Sequence, residues 1–316
     1  MSFALAMLLA MTLDALIGWP SAVFLRIGHP VTWLGRLIAT LDATLNWPTR
    51  RTGMRKALGV LAALVTIGLA GIIGWLMQSA LGDHWAATVL VAILAWPLVA
   101  VRSMHQHVVA VARPLCHGDI DAARQEVSMI VGRDPSRLDA PGIARAATES
   151  LAENTGDGII APLFWGLVAG LPGIAAYKAI NTLDSMIGHR TPRHEAFGWA
   201  SARIDDVVNW IPARLTGLIF ALASRAPIKA LRCVLNDAQH HRSPNAGWPE
   251  AAMAGALNVR LSGPRAYEDR VAQEPWVNGA APDPTAQDLF RALALYRRSM
   301  FGVAILLGLI ALGLGW

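Results

Sequence analysis

The sequence predicts an all-α fold: a polytopic helical membrane protein with four to six membrane-inserted helices, one of them a candidate re-entrant segment, plus cytoplasmic helices. Three observations lead there. Of the 316 residues, 54% are apolar and 16% charged, whereas a soluble domain carries roughly 25% charged residues. Several long windows are nearly or wholly charge-free, and crossing the hydrocarbon core takes about 20 largely apolar residues. The apolar runs are rich in Leu and Ala, which favours helix.

Taken in order, Ser2 to Ile17 is apolar apart from Asp14, and Ala57 to Leu81 carries no charge. Ala86 to Val101 and Ser299 to Trp316 are a third and a fourth apolar run. Two further segments are shorter or interrupted: 158–176, and 207–223 with Asn209, Pro212 and Arg214 inside it. The first segment has no basic leader and no small-x-small cleavage site, so it reads as a retained span rather than a signal peptide. Trp19, Trp75, Trp85, Trp210 and Trp316 lie near segment ends, where amphipathic rings suit the membrane interface.

Basic residues set the orientation. Arg26, Arg36, Arg50, Arg51, Arg55 and Lys56 lie between the first two spans, and Asp83 and His84 between the second and third. The positive-inside rule makes the first loop cytoplasmic and the second external. The basic stretch 102–145 then returns to the cytoplasm. The same rule conflicts with a crossing at 158–176, because Lys178, Arg190, Arg193 and Arg203 would be carried outside. Gly158, Pro162, Gly166, Gly170, Pro172 and Gly173 suit a broken, re-entrant segment, which is tolerated at membrane depth where protein covers the backbone. The net charge of +5 is accounted for by these loops and calls for no nucleic acid. Cys116 and Cys233 are far apart in predicted cytoplasmic regions and outside any CxxC pair, so neither a disulfide nor a zinc site is expected.

The chain divides into N-terminal transmembrane helices with a basic cytoplasmic loop (1–104), polar helices with a motif-dense catalytic centre and partly inserted segments (105–224), and a cytoplasmic region with a C-terminal transmembrane anchor (225–316). Asp119 is a candidate N-cap for a helix through Val131, closed by Gly132. Asp139 followed by Pro141 starts the next helix, which carries Arg145, Glu149 and Glu153 on one face.

Polar groups concentrate between 145 and 214: Glu149, Glu153, Asn154, Asp157, Lys178, Asn181, Asp184, Ser185, Arg203, Asp205, Asp206, Asn209 and Arg214. Ionisable residues beside or within a membrane are costly and are functional candidates by default. Asn181, Asp184 and Ser185 share a helix face, as do Asp205 and Asn209. These carboxylate-bearing turns, with the Glu149 and Glu153 face, could hold Mg²⁺, with Asp157, Asp184, Asp205 and Asp206 as the candidate ligands, since that ion takes one or two carboxylates and completes its shell with phosphates and waters. Lys178, Arg203 and Arg214 have the charge to hold phosphate. The competing reading of the same spacings is a set of salt bridges and helix caps. There is no GxxxxGK[ST] and no GxGxxG, so no motif announces nucleotide binding. His105 with His107, and His240 with His241, are weak metal signals, more often incidental.

Several blocks resemble the adenosylcobinamide-phosphate synthases, the CobD/CbiB family: DALIGWP…GHPVTWLGRLI (14–38), GRDPSRLD (132–139), ESLAENTGDGIIAPLFW (149–165), YKAINTLDSMIGHR (177–190), FGWASARIDDVVNWIPARLTG (197–217) and SPNAGWPEAAMAGALNVRL (243–261). They cover nearly the whole chain in the family's order. Two departures stand out: Trp19 sits where many relatives carry an acid, and tyrosine is common in the family near His189 and His194.

The resemblance implies an enzyme that joins adenosylcobyric acid to (R)-1-aminopropan-2-ol phosphate, or a similar amino-alcohol phosphate, through an ATP-dependent amide bond. It implies ATP and Mg²⁺, with the corrinoid as substrate rather than prosthetic group. The expected location is the inner (cytoplasmic) membrane with the active site facing the cytoplasm, among other membrane enzymes of late cobalamin assembly. Glu149, Glu153, Asp184 and Asp206 are then the catalytic candidates. Lys178, Asn181, Ser185, Arg203, Asn209, Arg214 and Asn245 are the substrate- or phosphate-binding ones, Asn245 on a loop (243–250) suited to close over a corrinoid. Two other readings are a corrinoid transporter, expected to show inverted repeats, and a non-catalytic relative, expected to lack the central acids.

Overall fold

In the computed structural model, local capping chemistry starts many of the helices, and the structure describes residues 1–132, 134–267, 270–272 and 274–313. Ser2 caps α1 (Phe3–Ile17) by accepting from Leu5 N–H. A short α2 (Ser21–Ile27) follows. His29 then caps α3 (Pro30–Leu45), reciprocated by Thr32. α4 (Thr52–Leu81) and α5 (Trp85–Ala95) come next, α5 capped by the His84 ring. α6 (Val101–Cys116) leads to α7 (Ile120–Ser128) and α8 (Ala140–Thr155), capped as expected by Asp119 and Asp139. α7 ends at Ser128, three residues short of the expected Val131. α9 (Ala161–Leu183), α10 (Trp199–Val208), α11 (Trp210–Ala223), α12 (Pro227–Asp237), α13 (Gly247–Leu257) and α14 (Ala286–Gly313) complete the helices. Between α13 and α14 the described residues form four strands of two or three residues: β1 (Leu261–Ser262) pairs antiparallel with β4 (Trp276–Val277), and β2 (Arg265–Tyr267) with β3 (Arg270–Ala272). Cys116 and Cys233 are both free thiols.

Among the described residues, four helical stretches are long and apolar enough to cross a membrane: Thr52–Leu81, Trp85–Cys116, Ala140–Gly188 and Ala286–Gly313. Two bent pairs raise the number to six: Phe3–Ile17 with Ser21–Leu45, at 108°, and Trp199–Val208 with Trp210–Ala223, at 47°. The all-α, four-to-six-span expectation therefore stands, but its membership shifts. α1 has 15 residues, about 22 Å at 1.5 Å per residue, which is short for a core about 30 Å thick. The interrupted region around 158–176 belongs instead to one of the four long stretches. Trp75, Trp85 and Trp210 are exposed, as interface rings would be; Trp316 lies outside the described residues.

The chain separates into two compact units. The first comprises Met1–Ala100, Ala161–Asn209 and Leu306–Trp316; the second comprises Val101–Ile160 and Trp210–Ile305.

In the first unit α4 packs along α9 and small residues set the approach. Without water to drive helices together, packing in lipid relies on close backbone contact at small side chains. A Cβ on Gly59 would fall 1.9 Å from the Phe197 carbonyl oxygen, and one on Gly74 2.9 Å from Leu171 O and Pro172 Cα. Ile38, Ala62, Ala63, Leu183, Ile187, Phe197 and Ala200 form a buried core. Inside α9 the backbone breaks at Gly170, where φ is +66°, a conformation open to glycine and costly for other residues. The chain folds back there: the Cβ position of Gly173 lies 2.2 Å from the Trp165 carbonyl oxygen. The side chain of Gln78 holds the bend by accepting from Leu171 N–H at 2.7 Å.

In the second unit α11, α12 and α13 pack on one another and α8 packs on α6 and α13. The segment SPNAGWPE (243–250), expected to be a loop, is one only in its first half. Gly247 to Glu250 form the first turn of α13, where Pro249 needs no N–H partner.

Candidate active site

In the first unit the candidate acids gather at the end of α9 and on α10. α9 runs into a π-helical turn, Asp184–Gly188, that begins at Asp184. Such turns recur at functional sites. The carboxylate lies over Gly188, where a Cβ would fall 2.0 Å from Asp184 Oδ1, so glycine makes the room. Asp206 and His189 are both near enough to Asp184 for their charges to interact. Arg203 Nη1 donates to Asp206 Oδ2 at 3.2 Å, one helical turn away. Asp184, Asp206 and Arg203 thus form one half-exposed cluster of two acids and a cation.

Asp205 belongs to a different chain of bonds. Its Oδ2 accepts from Asn209 Nδ2 at 3.0 Å, and Asn209 Oδ1 accepts from the Tyr177 hydroxyl at 2.9 Å. Tyr177 and Asn209 are buried, so this chain ties α10 to α9 and fixes the acid. Ser185 donates to the Asn181 carbonyl at 2.8 Å. Lys178 lies nearly two helical turns before Asp184, within charge-interaction reach of His29.

The second unit holds Glu149, Glu153, Asp157, Arg214 and Asn245. Asp157 sits in another π turn, Gly156–Ile160, and Glu153 is exposed one turn earlier. Glu149 is buried and accepts Ser262 N–H at 2.7 Å, while the Ser262 hydroxyl donates to Glu250 Oε2 at 3.1 Å. His241 Nε2 faces Glu250 Oε1 at 3.6 Å. Glu149 therefore docks α8 against β1, and Asn245 is buried at the start of α13. On the same face of α8, Arg145 donates to Asp283 Oδ1 at 3.0 Å, and Arg260 Nε donates to the same oxygen at 2.8 Å. Both guanidinium groups rest on the Trp276 ring, at 4.9 and 4.3 Å. Hydrogen bonds from Arg260 hold the Asp283 carboxyl below its ordinary value, against a smaller opposing effect of burial. Arg214 lies against two indoles, those of Trp210 at 4.0 Å and Trp248 at 4.3 Å.

Sequence reasoning passed over Glu250, Ser262, Trp276 and Asp283. Glu250 is a single acid in an Ala-rich helix, and the others lie in short strands or connections without periodicity; tertiary pairing alone brings them to α8. His241, a weak metal signal in the sequence, has a buried carboxylate, Glu250, as its partner.

No three His, Cys, Asp or Glu side chains able to hold a metal cluster among the described residues. Asp184 and Asp206 nevertheless fit Mg²⁺, an ion that asks the protein for one or two carboxylates and takes its other oxygens from phosphates and water. Asp205 is hydrogen-bonded by Asn209, as ligating carboxylates commonly are.

The chain matches the family model "CobD/Cbib protein" over residues 7–296. It is similar to curated proteins named "Cobalamin biosynthesis protein CobD". The one from Rhodobacter capsulatus is 64% identical over 311 residues, covering 98% of each chain. That from Brucella suis is 45% identical over 323 residues, covering 97% of each. That from a Sinorhizobium species is 43% identical over 302 residues, covering 92% of this chain and 93% of the relative. No solved structure matches. With a family model covering most of the chain and relatives this similar end to end, the chain belongs to the CobD/CbiB family of cobalamin biosynthesis proteins.

Proposed function

We propose that the protein is an adenosylcobinamide-phosphate synthase: it joins the free carboxylate of adenosylcobyric acid to the amine of (R)-1-aminopropan-2-ol phosphate, or a similar amino-alcohol phosphate, with consumption of ATP. The supporting observation is that Asp157 and Asp184 each stand in a π turn within apolar helical sequence, in a family of cobalamin biosynthesis proteins. Acids placed at such cost in a membrane protein are there for chemistry.

The reaction has two demands. A carboxylate and an ammonium ion do not condense at neutral pH, so ATP must convert the carboxylate oxygen into a leaving group and the ammonium must lose a proton. Then the nitrogen attacks the carbonyl carbon, the C–N bond forms, and the activated oxygen departs with its phosphate. Asp184 and Asp206 would hold Mg²⁺, which when bound neutralises phosphate charge. Lys178 and Arg203 orient phosphate oxygens. Within the second unit, Glu153 is exposed on α8 whereas Glu149 is buried against Ser262, so of these two candidates Glu153 is the one open to a substrate. The enzyme works in the inner membrane with this site facing the cytoplasm, where ATP is made available.

Purified protein given adenosylcobyric acid, the amino-alcohol phosphate and Mg-ATP is expected to yield the amide by mass spectrometry. Asp184→Asn should reduce turnover at least a hundredfold with the helical circular-dichroism signal unchanged. Wild-type protein that makes no amide with any amino-alcohol phosphate sinks the proposal, and corrinoid flux into vesicles without product would favour a transporter.

A further inference from the structure

Arg214 is the one charged residue of α11, whose sequence is otherwise WIPA-LTGLIFALA. Ile211, Leu218 and Leu222 on the same helix are exposed, as lipid-facing side chains are. A guanidinium in so apolar a helix is costly, and it pairs with a counter-charge or with backbone carbonyls. Among the described residues no carboxylate supplies one: Arg214 donates from Nη1 to the Trp210 carbonyl at 2.7 Å and otherwise meets the indoles of Trp210 and Trp248. The Trp248 ring is itself fixed, its Nε1 donating to the Pro244 carbonyl at 3.2 Å. Indole contact engages the flat faces of a guanidinium and leaves its in-plane N–H edge available. Five donors are present and one is used. An oriented, partly desolvated fork of this kind matches the paired oxygens of a phosphate.

We propose that Arg214, positioned by Trp210 and Trp248, is a binding site for a phosphate group. The phosphate comes from one of two sources with the same chemistry: a soluble phosphate ester or a phospholipid headgroup. The soluble source rests on the synthase reading above; the lipid source does not.

The test uses the full chain in nanodiscs. In one arm, inorganic phosphate is titrated by calorimetry into protein in phosphatidylcholine discs. In the other, native mass spectrometry counts phosphatidylglycerol retained from mixed discs. Wild-type binding of phosphate, weakened at least tenfold in Arg214→Gln, establishes the site with a soluble ligand. Retention of phosphatidylglycerol by wild type and its loss in Arg214→Gln establishes it with a lipid. Arg214→Lys keeps the charge but loses the fork, and is expected to bind several-fold more weakly than wild type; it also serves should Arg214→Gln not fold. Equal behaviour of wild type and both variants in both arms overturns the proposal. Neither arm reads turnover, so a failed amide assay leaves this result standing on its own.

Discussion

At the scale of single residues, the Asp283 clasp offers a sharp test because its titration has a known sign. Arg260 and Arg145 stabilise the charged carboxylate, so its folded-state value lies below the ordinary 3.8. A depressed carboxyl contributes stability that is complete above the unfolded value and is lost as pH falls through the folded one. Both side chains are about a third exposed, so solvent screens the pair and keeps its contribution small. Asp283→Asn should therefore melt a few degrees below wild type at pH 7, and the gap should close as pH drops below about 4. A gap that stays constant with pH would mean the loss is one of packing. This clasp also marks the limit of what the sequence discloses about residues. Arg145, Glu149 and Glu153 could be placed on one face of α8 because helical spacing is local. Their partners Asp283 and Ser262 lie more than a hundred residues away, in segments with no period to read. That Glu149 is buried under Ser262, and so docks a helix, follows from the same distant pairing.

Helices were legible where their chemistry is local and illegible where a neighbour decides. Asp119 and Asp139 cap α7 and α8 because an acid before the first turn satisfies N–H groups whatever surrounds it. The glycines and prolines of 158–176 announced a broken segment. The position of the break, Gly170, is set by Gln78 and by contact with Phe3, which no local pattern contains. The same tertiary logic makes Gly59 and Gly68, nine residues apart on α4, unequal. A Cβ at Gly59 would collide with the backbone of Phe197, while one at Gly68 meets nothing within 4 Å. Gly59→Ala should lower thermal stability by the roughly 1–3 kcal/mol typical of overpacking. Gly68→Ala should be neutral or stabilising by up to about 1 kcal/mol, through helix propensity. Melting curves of the two purified variants separate these outcomes, and an equal response would show that α4 does not press on Phe197.

For the molecule as a whole, the question left open by charge counting was whether 178–206 shares a side of the membrane with the first basic loop. Within the first unit the structure ties these segments together. Arg193 Nε and Nη2 donate to Asp42 Oδ2 at 2.9 and 2.6 Å, and Asn46 Nδ2 donates to the Arg193 carbonyl at 2.9 Å. Arg55, near the start of α4, bonds the same carbonyl. At the far end of α4, beyond 30 helical residues or about 45 Å of helix, Asp83 is paired with the chain's N-terminal ammonium. The fold-back at Gly170 lies toward that far end, beside Gln78. After it, α9 returns to the Arg193 end, so the chain reaches Asp184 on the same side as Arg55. The positive-inside rule assigns that side to the cytoplasm. A cysteine at 190 or 51 should then react with a membrane-impermeant maleimide in inside-out vesicles and stay silent in intact spheroplasts, and a cysteine at 83 should do the reverse. Should 190 label with 83 rather than with 51, the acids of α9 and α10 would face away from cytoplasmic ATP, and the synthase reading would have to find its nucleotide elsewhere.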